Sequence, residues 1–115
     1  MVTGYQGNFD PDNSVVIPAS SATSNALNCG GFTLVGLILP ATFTGVAITF
    51  LVCTTLGGSY SQLCDETGAP ITITVAAGNA YAIDPKHLQG FQFIKLVSGS
   101  TESAQRTITC SLKGL

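Results

Sequence analysis

From residue 32 onward, apolar and polar positions fall into short runs with the lengths and periods of β-strands, divided by turns rich in glycine and proline. Residues 32–39 form an apolar run between Gly30-Gly31 and Pro40, which predicts a strand buried on both faces. Residues 47–55 are rich in β-branched and aromatic side chains, and Gly57-Gly58 then supplies the positive φ of a tight turn. Residues 60–64 read as the partner strand, closed by Asp65-Glu66-Thr67-Gly68. Ile71, Ile73 and Val75 alternate with Thr72 and Thr74, the period of two expected of a half-buried strand. Residues 80–83 predict another short strand before the loop Asp84-Pro85-Lys86-His87. Residues 91–97 are again apolar and reach an expected stop at Ser98-Gly99-Ser100. In the last strand Ile108, Cys110 and Leu112 point inward, with Thr107, Thr109, Ser111 and Lys113 outward.

Residues 1–30 differ. They are polar and turn-rich, and only Val15-Val16-Ile17, ended by Pro18, resembles a strand. The expected organisation is an extended N-terminal arm over residues 1–30 carrying one short strand, followed by a β-sandwich domain over residues 31–115. No apolar spacing of helical period persists, which excludes a parallel βαβ architecture. The predicted fold class is all-β, an antiparallel two-sheet β-sandwich of jelly-roll or immunoglobulin-like topology.

Composition sharpens the picture in one respect. Charged residues make up 9% of the chain, against about 25% in typical soluble domains. Mean hydropathy is +0.43, yet the most apolar stretch is broken by Gly36 and Pro40, far short of the roughly 20 residues of a spanning helix. So few charges imply an exterior of Thr, Ser, Asn and Gln, with contact to other chains. Lys86, Lys95, Arg106 and Lys113 are scattered, so no basic patch predicts nucleic-acid or membrane binding. The opening residues show no charged leader or apolar h-region, and folding in a cytoplasm is expected.

Candidate chemistry is sparse. Cys29, Cys53, Cys64 and Cys110 have no C-x-x-C spacing and His87 is the only histidine, so neither a zinc site nor any other cofactor is expected. Buried or half-buried thiols are the simpler reading of the cysteines. The alternative is a late disulfide between Cys53 and Cys64, if the Gly57-Gly58 turn sets them opposite each other. His87 lacks a nucleophile motif, and no catalytic residues are predicted. The Asp10-Pro11-Asp12-Asn13 cluster lacks the glycine and closing glutamate of a calcium loop. Tyr60 and Tyr81 are the candidate platforms for stacking a sugar ring. Lys95 and Arg106 interrupt strands, either as snorkelling or cross-strand partners of Glu102 or Asp65, or as intersubunit ion pairs.

One order of features extends this reading. Leu34 through Ala41 with Phe43-Thr44-Gly45 leads into Ala47-Ile48-Thr49-Phe50. A Gly57-Gly58 turn, Leu63 and the Asp65 to Gly68 turn follow, then Ile71 to Val75 and Ile83-Asp84-Pro85. Gly90, Ile94-Lys95-Leu96, Ser98-Gly99 and Gln105-Arg106 complete it. Over about two thirds of the chain this order resembles the small β-sandwich virion structural proteins of tailed bacteriophages and prophages. Cys53, Cys64 and Cys110 depart from that pattern. The resemblance implies a capsid decoration (cement) protein stabilising the head shell, or a neck, tail or fibre component, the last with a carbohydrate-binding module for host attachment as an option. It implies no enzymatic activity. The partners would be the major capsid protein or other virion proteins, and the chain itself in a symmetric homo-oligomer such as a trimer. The location would be the virion, assembled in the host cytoplasm. The expected assembly contacts are Val15, Val16 and Ile17, offered as a strand to a neighbouring sheet edge, and the exposed faces of Thr72, Thr74, Thr107 and Thr109.

Overall fold

A computed structural model describes residues 13–114. Among them the chain forms ten antiparallel strands and one turn of 3-10 helix. The strands are β1 (Ser14–Ile17), β2 (Ser21–Thr23), β3 (Leu27–Asn28), β4 (Thr33–Ile38), β5 (Ala47–Cys53), β6 (Ser61–Gln62), β7 (Ile73–Thr74), β8 (Ala80–Ala82), β9 (Phe93–Glu102) and β10 (Arg106–Lys113). The 3-10 turn, Pro85–His87, starts where the Asp84 carboxylate accepts from the Lys86 amide.

Two sheets pack face to face. Sheet A has the order β1-β10-β4-β8; sheet B runs β2-β9-β5-β6, with β3 also pairing β9 and β7 pairing β5. The pairs β1 with β10, β2 and β3 with β9, β4 with β8, and β5 with β6 and β7 nest like one long hairpin. Rolled over itself, that hairpin places alternate pairs in opposite sheets. This is the jelly-roll topology, and it resolves the two alternatives left by the strand pattern.

The core lies between the sheets and follows the period of two. Ile48, Phe50 and Val52 of β5 face Leu34 and Leu37 of β4, with Ile94 and Leu96 of β9 and Ile108 of β10 completing the layer. Burial of such side chains contributes about 1.5–3 kcal/mol each. β4 buries one face rather than two: Ile38 is 49% exposed. Gly36 sits in its middle because a Cβ there would meet Ser111 and the Tyr81 carbonyl oxygen at 3.2 and 3.3 Å.

Two further expectations are corrected. Residues 13–30 are not an arm apart from the domain. They supply three strands, and Val15, Ile17 and Leu27 are fully buried in the common core. The polar composition hid this because these strands are short and each lies at a sheet edge. Residues 1–12, with the Asp10-Pro11-Asp12 cluster, lie outside the described residues. The second correction concerns Ser98-Gly99-Ser100, which does not end a strand. β9 continues to Glu102, since the buried Ser98 hydroxyl donates to Glu102 Oε2 (3.1 Å) and accepts from the Ser100 amide (3.2 Å).

Candidate assembly surface

Register builds most of the outer face of sheet A from three rows, beyond which Lys113 pairs with Thr33 at the end of β10. Ser14, Thr109, Ile38 and Ala80 form one row across the four strands. Val16 and Thr107 form a second, and Ser111, Gly36 and Ala82 a third. Side chains paired in register point to the same side of a sheet. None of these residues is ionisable, so the rows present hydroxyls, methyl groups and one half-exposed isoleucine. Such a surface can dock by shape and hydrogen bonding without desolvating an ion.

Of the contacts expected from sequence, Thr107 and Thr109 stand exposed on this face. Thr74 is also exposed, but on β7 opposite Ala47 in the other sheet, and Thr72 precedes it with its hydroxyl donating to the Pro70 carbonyl (3.2 Å). The fold therefore divides the four threonines between opposite sheets. Val15 and Ile17 are in the core, and Val16 is half-buried. Nor does β1 offer a strand edge at its centre. One side pairs with β10, and on the other the Val16 amide donates to Asn25 Oδ1 (2.7 Å) while the Asn25 amide donates to the Val16 carbonyl (3.1 Å). The Asn25 side chain and backbone together replace an adjoining strand.

The two charged residues that interrupt strands have intramolecular partners. Arg106 Nε donates to Glu102 Oε1 at 2.8 Å, both side chains being enclosed. The same carboxylate accepts from the Thr44 amide (3.1 Å), the Gly45 amide (3.0 Å) and the Ser98 hydroxyl (3.1 Å). This pair ties the segment before β5 to the β9–β10 turn, and it is a clamp inside the fold rather than an intersubunit bridge. Burial raises the Glu102 pKa, and the hydrogen bonds from Arg106, Thr44 and Ser98 outweigh it, leaving the group below the usual carboxylate range. A buried Glu-Arg pair four residues apart has no sequence signature beyond its spacing. Lys95 places its ammonium 4.5 Å from the centre of the Tyr60 ring.

That contact occupies one face of Tyr60. Tyr81 packs on the core, and its hydroxyl accepts from the Ala76 amide (2.7 Å) and bonds the Asn79 side chain (3.3 Å). Neither ring stands as a bare platform. An open groove is lined by Leu63, Cys64, Asp65, Glu66, Lys86 and His87. Its Asp65 carboxylate is committed to its own turn, accepting from Thr67 and Ala69, and these bonds lower its pKa. Among the described residues no hydrogen bond joins Cys64 to His87, and no group of His, Cys, Asp and Glu could hold a metal ion.

Cys53 and Cys64 are both free thiols. Pairing of Leu51 with Gln62 and Val52 with Ser61 sets Cys53 opposite Tyr60. Cys64 lies four residues further along, roughly 13 Å at strand rise, whereas a disulfide needs Cα atoms within about 7 Å. The alternative disulfide across the turn is thus excluded by register, and the cysteines follow the simpler reading of free thiols, with Cys64 exposed rather than buried. Comparison with protein-family models, with curated proteins and with solved structures returns no match.

Proposed function

We propose that this chain is a virion structural protein of a tailed bacteriophage, acting as a capsid decoration subunit that stabilises the head shell. One observation carries the reading: three successive rows of the outer face of sheet A hold no ionisable residue, Lys113 standing only at the end of β10, in a chain already poor in charge. A free monomer gains solubility from interspersed surface charges, and a face without them suits a permanent neighbour. The resemblance noted in the sequence supplies the kind of neighbour, the major capsid protein. Jelly rolls serve both capsid and lectin roles, so the fold supports the reading only as background.

Addition of the purified protein to shells lacking it tests the proposal. The expected result is saturating binding in a copy number set by shell symmetry, in the hundreds per particle. Thr109→Lys combined with Ile38→Glu, whose charges sit opposite each other in register, should abolish that binding while leaving the melting temperature nearly unchanged. A native particle holding only about six to twelve copies would move the protein to the neck or tail. Full binding by the double variant would remove the sheet A face from the mechanism.

A further inference from the structure

The edges of the two sheets are not treated alike. β1 is sealed at Val16 by Asn25. Just past β6 the chain folds back on itself, through the Cys64–Pro70 bridge and the Ile71 amide donating to the Leu63 carbonyl (3.0 Å). Among the described residues β8 has no such cover. The Leu39 amide donates to the Asn79 carbonyl and the Ile83 amide to the Val35 carbonyl, both at 2.9 Å. This phase directs the main-chain groups of Asn79, Tyr81 and Ile83 toward β4, and those of Ala80 and Ala82 outward. Both alanines are exposed. At three residues the strand is short, as many natural edges are, but it carries no lysine, proline or bulge.

We propose that β8 is a self-pairing edge. Two copies join antiparallel about Tyr81, with Ala80 of each opposite Ala82 of the other, merging two four-stranded sheets into one of eight strands. Each Ala80–Ala82 pair exchanges two N–H to carbonyl bonds. A second copy is the fitting occupant for three reasons. The outward groups are symmetric about Tyr81, so the strand complements itself in antiparallel register. Its outward-facing side chains are methyl groups, which leave no pocket to select a foreign peptide. Because β1 is sealed, pairing through β8 closes at two copies and does not grow into a fibre. Asp84, the charged residue nearest the edge, falls opposite Gly78 of the second copy, so no like charges meet.

This inference is independent of the proposed function, and it names a two-fold contact where the resemblance implied a symmetric homo-oligomer such as a trimer. Sedimentation equilibrium with residue-resolved hydrogen exchange, from micromolar to millimolar protein, tests it. The expected result is a monomer–dimer equilibrium in which the Ala80 and Ala82 amides slow by about tenfold or more as dimer forms. Ala82→Pro, which removes an outward amide and no internal bond, should keep the melting temperature and remain monomeric. Deleting residues 1–12 should leave the dimer intact. A monomer throughout, a dimer in which both amides still exchange freely, or a dimer lost on that deletion would each overturn the proposal. A monomer that still binds shells overturns it while sparing the decoration role, and a dimer that ignores shells does the reverse.

Discussion

Arg106 Nε and Glu102 Oε1 meet at 2.8 Å inside the fold, four residues apart across the turn that joins β9 to β10. Their burial means that neither can be lost alone without stranding the other. Removing one member of a buried pair typically destabilises by about 3–5 kcal/mol. Arg106→Met and Glu102→Gln should each lower stability by that order in urea or thermal unfolding. The combined variant should lose less than the sum, because no uncompensated charge then stays buried. Strict additivity in the double-mutant cycle would show that the two groups act separately.

Acid should reach the same clamp. The folded Glu102 pKa lies below its unfolded value, so its contribution is fully present above about pH 4.3, the ordinary value for glutamate. It is lost as pH falls through the lowered folded value, where the carboxylate takes a proton and can no longer accept from all its donors. Melting temperature should therefore decline below about pH 4.3. Glu102→Gln should show a shallower decline. Parallel curves for the two proteins would assign the acid sensitivity to other carboxylates.

The strands after residue 32 were legible because each buries one face, and burial imposes the period of two seen at Ile71, Ile73, Val75 and again at Ile108, Cys110. The final strand placed Thr107 and Thr109 outward correctly. What stayed hidden depended on partners distant in sequence. Val15 and Ile17 resembled part of a loose arm because their neighbours are polar, yet β10 and the core, some ninety residues on, hold them. Ser98-Gly99-Ser100 carries turn residues, but Ser98 is a buried ligand of Glu102 and Gly99 lies against Ala47. The open edge at β8 was invisible for a related reason: which amides point outward is set by pairing phase, and no side-chain pattern records it.

Thiol chemistry checks the register of the β5–β6 hairpin. Cys64 is exposed and Cys53 buried, with its sulfur donating to the Thr55 carbonyl at 3.1 Å. In the native protein Cys64 should react with a thiol reagent well before Cys53, whose modification should await unfolding. Air oxidation should give no Cys53–Cys64 bridge in peptide maps. Recovering that bridge from folded protein would require a shift of four residues in the pairing of β5 with β6, with loss of the ladder at Leu51 and Val52.

Tyr81 offers a test of how the loop before β8 is held. Its hydroxyl accepts from the Ala76 amide at 2.7 Å and bonds the Asn79 side chain, spanning the turn that leads from β7 into β8. Tyr81→Phe keeps the ring against the core and removes only these bonds. Stability should fall by about 0.5–1.5 kcal/mol, the usual net worth of a hydrogen bond. The Ala76 amide should exchange faster while the amides of β4 are unaffected. Equal exchange at Ala76 in both proteins would mean that solvent satisfies that amide as well as the phenol does, and that the turn is fixed instead by the Gly78 amide donating to the Pro40 carbonyl at 3.1 Å.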